Sequence, residues 1–240
     1  MGFSDRLDGA FTGKFAHLRD RLLCPTDSMP DARSLDDILT IEFFSNIDLE
    51  FTACHGETPT IAVRSIWSKW YFTVVLPPLM SAGIWAGCSP PLELDGLRYR
   101  VTADGKVSAV GAHDSWFEAT PDPAEHFADI HQSIISPFVE RYSSFSGVSK
   151  RVLWSNAGTV LDSFLDYLER DGDGGKPAEV LAGLIGMRLL PDRKVNKLQG
   201  AVRRNEDRER QRKICCLRYM VPDGKLCCIC PRKIEERNAA

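Results

Sequence analysis

The chain has 240 residues, a formal net charge of −3, 43% hydrophobic and 26% charged residues. That balance is ordinary for a folded globular protein and argues against a general nucleic-acid binder, because no broad positive field is present to attract phosphates. The length suits one large domain or two small ones with a substantial core.

The first twenty residues mix charges through their apolar positions and contain no signal-type hydrophobic run. Arg6 also breaks the myristoylation pattern that Gly2 begins. The expected address is the cytoplasm, where reduced thiols favour metal ligation over disulfides. Behind Ser4, a plausible N-cap, Leu7, Phe11, Phe15, Leu18 and Leu22 recur at helical spacing, so the chain should open with an amphipathic helix. Ser34 and Asp37 resemble a capping box ahead of Ile38, Ile41 and Phe44, giving a second helix. Thr58-Pro59 starts a third, which carries Ile66, Trp67 and Trp70, is apolar on most faces and belongs in the core. Trp67, Trp70 and Tyr71 read as core aromatics rather than a ligand platform, while Ser65, Ser68 and Lys69 are candidates to line a pocket.

Trp70 to Leu92 is uncharged, which raises the question of a membrane span. Pro77-Pro78, Pro90-Pro91, Gly83 and Gly87 interrupt it, so the expectation is two buried helices joined at the double proline. Peripheral contact with the inner membrane is left open. From Leu92 to Gly111 the period changes: short strand-like runs at Leu92–Asp95, Leu97–Val101 and Lys106–Val110 are separated by Asp95-Gly96 and Asp104-Gly105, predicting a small antiparallel sheet.

Asp122-Pro123 should cap a long helix bearing Phe127, Ile130, Ile134 and Phe138, kinked at Pro137. Val160, Leu161, Phe164, Leu165 and Leu168 mark another, ended by Asp171 to Gly175, and Pro177 opens one more that runs to Leu190-Pro191. Asp171 and Asp173 are misplaced for a calcium loop and read as a polar turn. His126 and His131, five apart, miss the spacing of a helical metal pair; with His17, His55 and His113 they read as ordinary polar contacts. Cys24, Cys54 and Cys88 are scattered and read as buried apolar side chains.

From Arg203 to Lys213 the run RRNEDRERQRK carries six basic and three acidic residues and no apolar one. It reads as a solvated helix face or linker, with the functional alternative that Arg208, Arg210, Arg212 and Lys213 dock an acidic electron donor or an anionic ligand, joined by Arg218 and Lys225. The chain's densest chemistry lies just beyond this run. Cys215, Cys216, Cys227 and Cys230 form the pattern C-C-x10-C-x2-C, closed by Pro231, with Pro222-Asp223-Gly224 as a turn midway. Four thiolates can converge on one centre. Zinc and iron–sulfur both accept such a set; the adjacent pair suits a [2Fe–2S] cluster, which spreads its ligands over two irons, and zinc stays open.

This pattern resembles the C-terminal signature of the FhuF-like ferric-siderophore reductases, with Cys215, Cys216, Cys227, Cys230 and Pro231 matching residue by residue. The looser upstream resemblance covers Arg64 to Tyr71, the Leu76-Pro77-Pro78-Leu79 turn and Arg151 to Asn156, and Cys228 is a departure as a fifth cysteine inside the knuckle. The resemblance implies a [2Fe–2S] cluster on those four cysteines and one-electron reduction of a ferric siderophore, of hydroxamate type, releasing Fe(II) in the cytoplasm. No flavin or nicotinamide motif is present in the sequence, so electrons would come from an external donor such as a ferredoxin or flavoprotein reductase. The expected architecture is a mainly helical α+β body over 1–202, succeeded by a basic linker and cluster-binding segment over 203–240. A non-catalytic module, stapled by zinc or a cluster and binding siderophores or a partner, is the alternative.

Overall fold

Leu7, Phe11, Leu18 and Leu22 are buried as their spacing predicts, but the backbone between them is broken. Helix α1 (Phe3–Ala10) and helix α2 (Ala16–Arg21) are separated by a 3-10 turn at Gly13–Phe15, and Leu22–Leu23 leave the helix as strand β1. The computed structural model describes residues 3–23, 31–89, 92–111, 118–119, 122–170, 175–204, 209–222 and 226–232. Cys24, Pro90-Pro91, His113, Asp171, Asp173, Arg208, Asp223, Gly224 and Lys225, all singled out in the sequence, lie outside the described residues.

The second predicted helix is two. Ser34 and Asp37 do form a capping box, with Ser34 Oγ accepting from the Asp37 amide at 3.2 Å and Asp37 Oδ2 accepting from the Ser34 amide at 2.9 Å. That box starts only the short α3 (Leu35–Ile38). Thr40 then caps afresh, its Oγ1 accepting from the Phe43 amide at 3.2 Å, and α4 (Ile41–His55) begins.

Helix α5 (Thr60–Trp85) corrects the expectation of two helices joined at a Leu76-Pro77-Pro78-Leu79 turn, for it runs unbroken with both prolines inside. Proline in a helix interior removes the amide that would bind the carbonyl four residues back. For Pro77 that carbonyl belongs to Thr73, and Arg21 Nη1 donates to it at 3.2 Å, supplying from α2 a bond the helix cannot make itself. Helix α5 is apolar nearly all round, as a fully buried helix must be. It is the central element of the body. Among the described residues no helix is long and apolar enough to cross a membrane.

Strand β2 (Cys88–Ser89) comes next, and Leu94–Gly96 is a 3-10 turn where a strand was expected, because the Asp95-Gly96 turn consumes that run. Strands β3 (Arg98–Val101) and β4 (Val107–Gly111) pair antiparallel across Asp104-Gly105, while β1 joins β4 in parallel, so the sheet is mixed rather than purely antiparallel. Strand β5 (Glu118–Ala119) pairs antiparallel with β2.

Asp122 caps α6 (Pro123–Asp129), its Oδ1 accepting from the Ala124 amide at 2.8 Å. The distortion expected at Pro137 is a π-helical stretch over Ile130–Ile135, in which the Ser136 amide reaches back to the His131 carbonyl before α7 (Ser136–Ser146) resumes the regular ladder. Then come α8 (Lys150–Arg170) and α9 (Gly175–Gly186), the latter ending earlier than Leu190. The last pair of strands is β6 (Val202–Arg204) with β7 (Arg210–Arg212), antiparallel. The described parts of the basic run, Arg203-Arg204 and Arg210–Arg212, are therefore extended rather than helical. The fold is a mainly helical α+β body, as expected.

A stack of rings crosses the core: Trp67 on Tyr142 at 5.5 Å, Tyr142 on Phe138 at 5.1 Å, and Phe138 on Tyr71 at 4.1 Å. Polar ends are satisfied internally, Trp67 Nε1 donating to the Gly105 carbonyl at 2.9 Å and the Tyr71 and Tyr99 hydroxyls meeting at 2.9 Å. These aromatics are core. His126 is also structural, its Nε2 lying 2.9 Å from the Leu79 carbonyl. It fits only because residue 83 is glycine: a Cβ there would sit 2.1 Å from the imidazole. His131 stacks on Trp154 at 4.7 Å, and its Nε2 accepts from the Lys197 amide at 3.3 Å. Burial, helped by Lys197, pushes the His131 pKa down to about 4. Cys88 is buried as expected, and burial raises its thiol pKa to about 11, whereas Cys54 is exposed.

Candidate metal centre

Three stretches far apart in sequence meet where α5 and α8 pack side by side. On α5, Ser65 and Ser68 are fully buried; on α8, so is Asn156. Asn156 Nδ2 donates to the Ser65 carbonyl at 3.0 Å and to Ser68 Oγ at 2.9 Å, and Ser68 Oγ donates to the Ser65 carbonyl at 2.7 Å. This knot leaves two groups aimed at the C-terminal segment. Ser65 Oγ donates to the Cys216 carbonyl at 3.0 Å, and Asn156 Oδ1 accepts from Arg212 Nη2 at 2.6 Å.

Arg212 is 1% exposed, although it ends a strand in the most charged run of the chain. Its Nε donates to the Ile214 carbonyl at 3.1 Å and its Nη2 also to Ser155 Oγ at 3.3 Å, while Nη1 is buried with no protein partner among the described residues. No carboxylate faces it there. A buried guanidinium without a counter-ion is costly, and the groups whose charge answers it here are sulfurs. Its positive charge favours the thiolate forms of Cys215, Cys216 and Cys227.

The cysteine segment is tied to the body largely through its backbone. The Arg212 amide donates to the Ile229 carbonyl at 2.8 Å and the Lys213 amide to the Ala201 carbonyl at 2.9 Å. Gly158 on α8 lets this region approach, since a Cβ there would lie 2.5 Å from Ala201 Cβ and 3.0 Å from the Leu198 carbonyl. Leu217 adopts a left-handed conformation with φ 64°. That turn directs the Leu217 amide to the Cys215 sulfur and the Arg218 amide to the Cys216 sulfur. The knuckle closes with the Cys230 amide donating to the Cys227 carbonyl at 3.0 Å.

Cys216 and Cys227 face each other as hydrogen-bond partners across the two halves. Cys227 as donor holds the Cys216 thiol well below its ordinary range, aided by Arg212 and the Arg218 amide; the same bond pushes Cys227 up. Cys215 is raised by burial, partly offset by the Leu217 amide. Cys230 lies near enough for its charge to act on both Cys215 and Cys227. Cys216 and Cys230 are buried, Cys215 and Cys227 partly so, and Cys228 is exposed. The four cysteines of the pattern thus lie near one another without forming a closed shell: among the described residues no group of three or more His, Cys, Asp or Glu side chains is arranged to hold a metal ion. As a donor set they fit a thiophilic metal or cluster, with amide donors on two sulfurs and a buried cation to balance the charge.

The basic residues sort differently from the sequence expectation. Arg210 cannot greet a partner, because it bridges Asp162 and Asp166 on α8 with only 14% of its side chain exposed. Arg212 lies beneath the cysteines rather than at a mouth. Lys213 and Arg218 are exposed. Ser65 and Ser68 form the floor under Cys216; Lys69, one turn further along α5, lines a cavity of about 520 Å3 together with His17, Arg21, Thr73, Ser163 and Tyr167. Sequence reasoning missed Asn156 as the connector and Arg212 as a buried cation. The available signal was a buried-type helix, α8, with Ser155-Asn156 on its apolar side.

A family model described as ferric iron reductase FhuF-like transporter matches residues 65–211, ending before the cysteines. A protein of Escherichia coli (strain K12) named ferric siderophore reductase is 23% identical over 177 residues, covering 70% of this chain. The match spans 65% of that relative's length, just under two thirds.

Proposed function

Since the chain belongs to the FhuF-like ferric iron reductase family, we propose that it reduces Fe(III) held by a siderophore, using a [2Fe–2S] cluster on Cys215, Cys216, Cys227 and Cys230. The observation that carries this reading is the gathering of those four cysteines over the buried guanidinium of Arg212, which meets no carboxylate among the described residues, on a platform made by the family-matched segment. A [2Fe–2S] cluster accepts and gives up single electrons.

This chain's residues would set the conditions for that chemistry. Arg212 offsets the negative charge that four thiolates and an added electron bring into a buried place, which favours the reduced state. The Leu217 and Arg218 amides do the same at the sulfurs of Cys215 and Cys216. Exposed Lys213 and Arg218 offer positive charge at the surface of the segment, suited to an acidic one-electron donor such as a ferredoxin or a flavoprotein reductase. On the substrate side, hard oxygen ligands hold Fe(III) tightly; the lower charge of Fe(II) weakens them and speeds exchange. Cytoplasmic Fe(II) release completes the proposal; of the chelate this reading asks only hard oxygen ligands, and a hydroxamate complex serves as its first probe.

The test begins with protein purified without oxygen, its visible spectrum, and iron and acid-labile sulfide assays. Chemically reduced protein mixed with a ferric hydroxamate should lose one electron per cluster while a ferrous chelator reports Fe(II). Zinc in place of iron and sulfide, or binding with no Fe(II), would instead leave a metal-stapled binding module.

A further inference from the structure

The cavity beside the cysteine segment has a charge character of its own. It is an open cleft of about 520 Å3 between α2, α5 and α8, a size typical of small-molecule sites. Arg21 and His17 reach it from α2 and Lys69 from α5, and no Asp or Glu of the described residues lines it. Asp162 and Asp166, which neighbour Ser163 and Tyr167 in sequence, are already engaged by Arg210. Lys69 makes no ion pair among the described residues. Arg21 spends one nitrogen on the Thr73 carbonyl, which fixes its guanidinium at the wall.

Position ties this cavity to the cysteines. Ser65, Lys69, Thr73 and Pro77 succeed one another every fourth residue on one face of α5; Ser65 holds the Cys216 carbonyl and the other three line the cavity. Helix α8 repeats the arrangement, Ser155 and Asn156 holding Arg212 and Ser163 and Tyr167 lining the cavity further along. The lining thus begins about one helical turn, ~6 Å, from the contact with Cys216.

We infer that this cavity binds a metal chelate of net negative charge, its anionic oxygens on Lys69 and Arg21 and its carbon framework against Tyr167 and Phe164. That the metal is ferric rests on the reductase reading above; the charge preference rests on the cavity alone. A neutral chelate would leave both cations without an anionic partner.

The experiment separates the two. Gallium(III) complexes cannot accept the electron, so their binding to the full chain, measured by titration calorimetry, reports the cavity without the redox step. A gallium tris-catecholate, net negative, is expected to bind at least tenfold more tightly than a neutral gallium tris-hydroxamate. Lys69→Gln should weaken the catecholate complex about tenfold and Lys69→Glu further, with iron content unchanged in both. Equal affinity for the two complexes, or unchanged binding in both Lys69 variants, overturns the inference even where Fe(II) release is intact. Preferential gallium catecholate binding that Lys69→Gln weakens, in a protein that releases no Fe(II), upholds the cavity and removes the reductase reading.

Discussion

Arg212 donates a 2.6 Å hydrogen bond to Asn156, joining the strand that leads into the cysteines to a helix of the family-matched region. The bond lies in the interior, where a charged donor and an amide oxygen each lose water and must be repaid by geometry.

Replacing this guanidinium should therefore act on charge before shape. On the proposed assignment, Arg212→Gln lowers the reduction potential by roughly 60 mV or more, a tenfold change in a one-electron equilibrium. Arg212→Lys keeps the charge but not the fork that reaches Asn156, Ser155 and Ile214 together, and should fall between. Spectroelectrochemical titration of the three proteins checks the order.

Serine at Cys215, Cys216, Cys227 or Cys230 should abolish or severely reduce bound iron and sulfide, whereas Cys228→Ser retains both. Cys228 is exposed and surplus to the pattern. Retained iron in Cys227→Ser with loss in Cys228→Ser would mean that the knuckle's register has been assigned wrongly.

Gly158→Ala tests the docking of the segment onto α8. The new methyl would meet Ala201 Cβ at 2.5 Å and the Leu198 carbonyl at 3.0 Å, and neither neighbour is the end of a flexible chain. Overpacking of this kind costs about 1–3 kcal/mol, visible as a lower urea midpoint with unchanged slope.

His131 predicts an acid-side loss of stability. Its folded-state pKa, about 4, lies below the ordinary value of 6.5, so the unfolded chain takes up a proton that the folded chain refuses. The contribution is complete above pH 6.5, declines as pH falls towards 4 and is flat below. Its ceiling is about 3 kcal/mol. The difference in unfolding free energy between wild type and His131→Gln, measured from pH 7 to 4, should shrink over that window; a difference independent of pH would refute the assignment.

Much of this was legible in the sequence because it depends on local pattern. The capping box at Ser34, the apolar face of α8 and the hairpin at Asp104-Gly105 are short-range devices, and each stands where the spacing put it. What was hidden depends on a distant partner. Nothing near Pro77 says that Arg21, from another helix, will satisfy the carbonyl that the proline leaves idle, so a continuous helix was read as two. Charge misled in the same way: Arg210 and Arg212 stand two positions apart in a basic run, yet one meets two aspartates and the other is walled in. Exposure of a charged side chain is decided by what lies opposite, which composition does not record.

The body holds the cysteine segment largely by its main chain: Ser65 grips the carbonyl of Cys216, Arg212 that of Ile214, and the Arg212 and Lys213 amides pair with the carbonyls of Ile229 and Ala201. Carbonyls are common to every residue type, and amide donors to all but proline. These bonds therefore read the path of the segment's backbone and place no demand of their own on the side chains they pass, so a foreign cysteine segment that follows the same path could be grafted while the seat stays in place. The constraint falls instead on the gripping side, on Ser65, Asn156 and Arg212, where a single exchange would loosen a whole replaceable part.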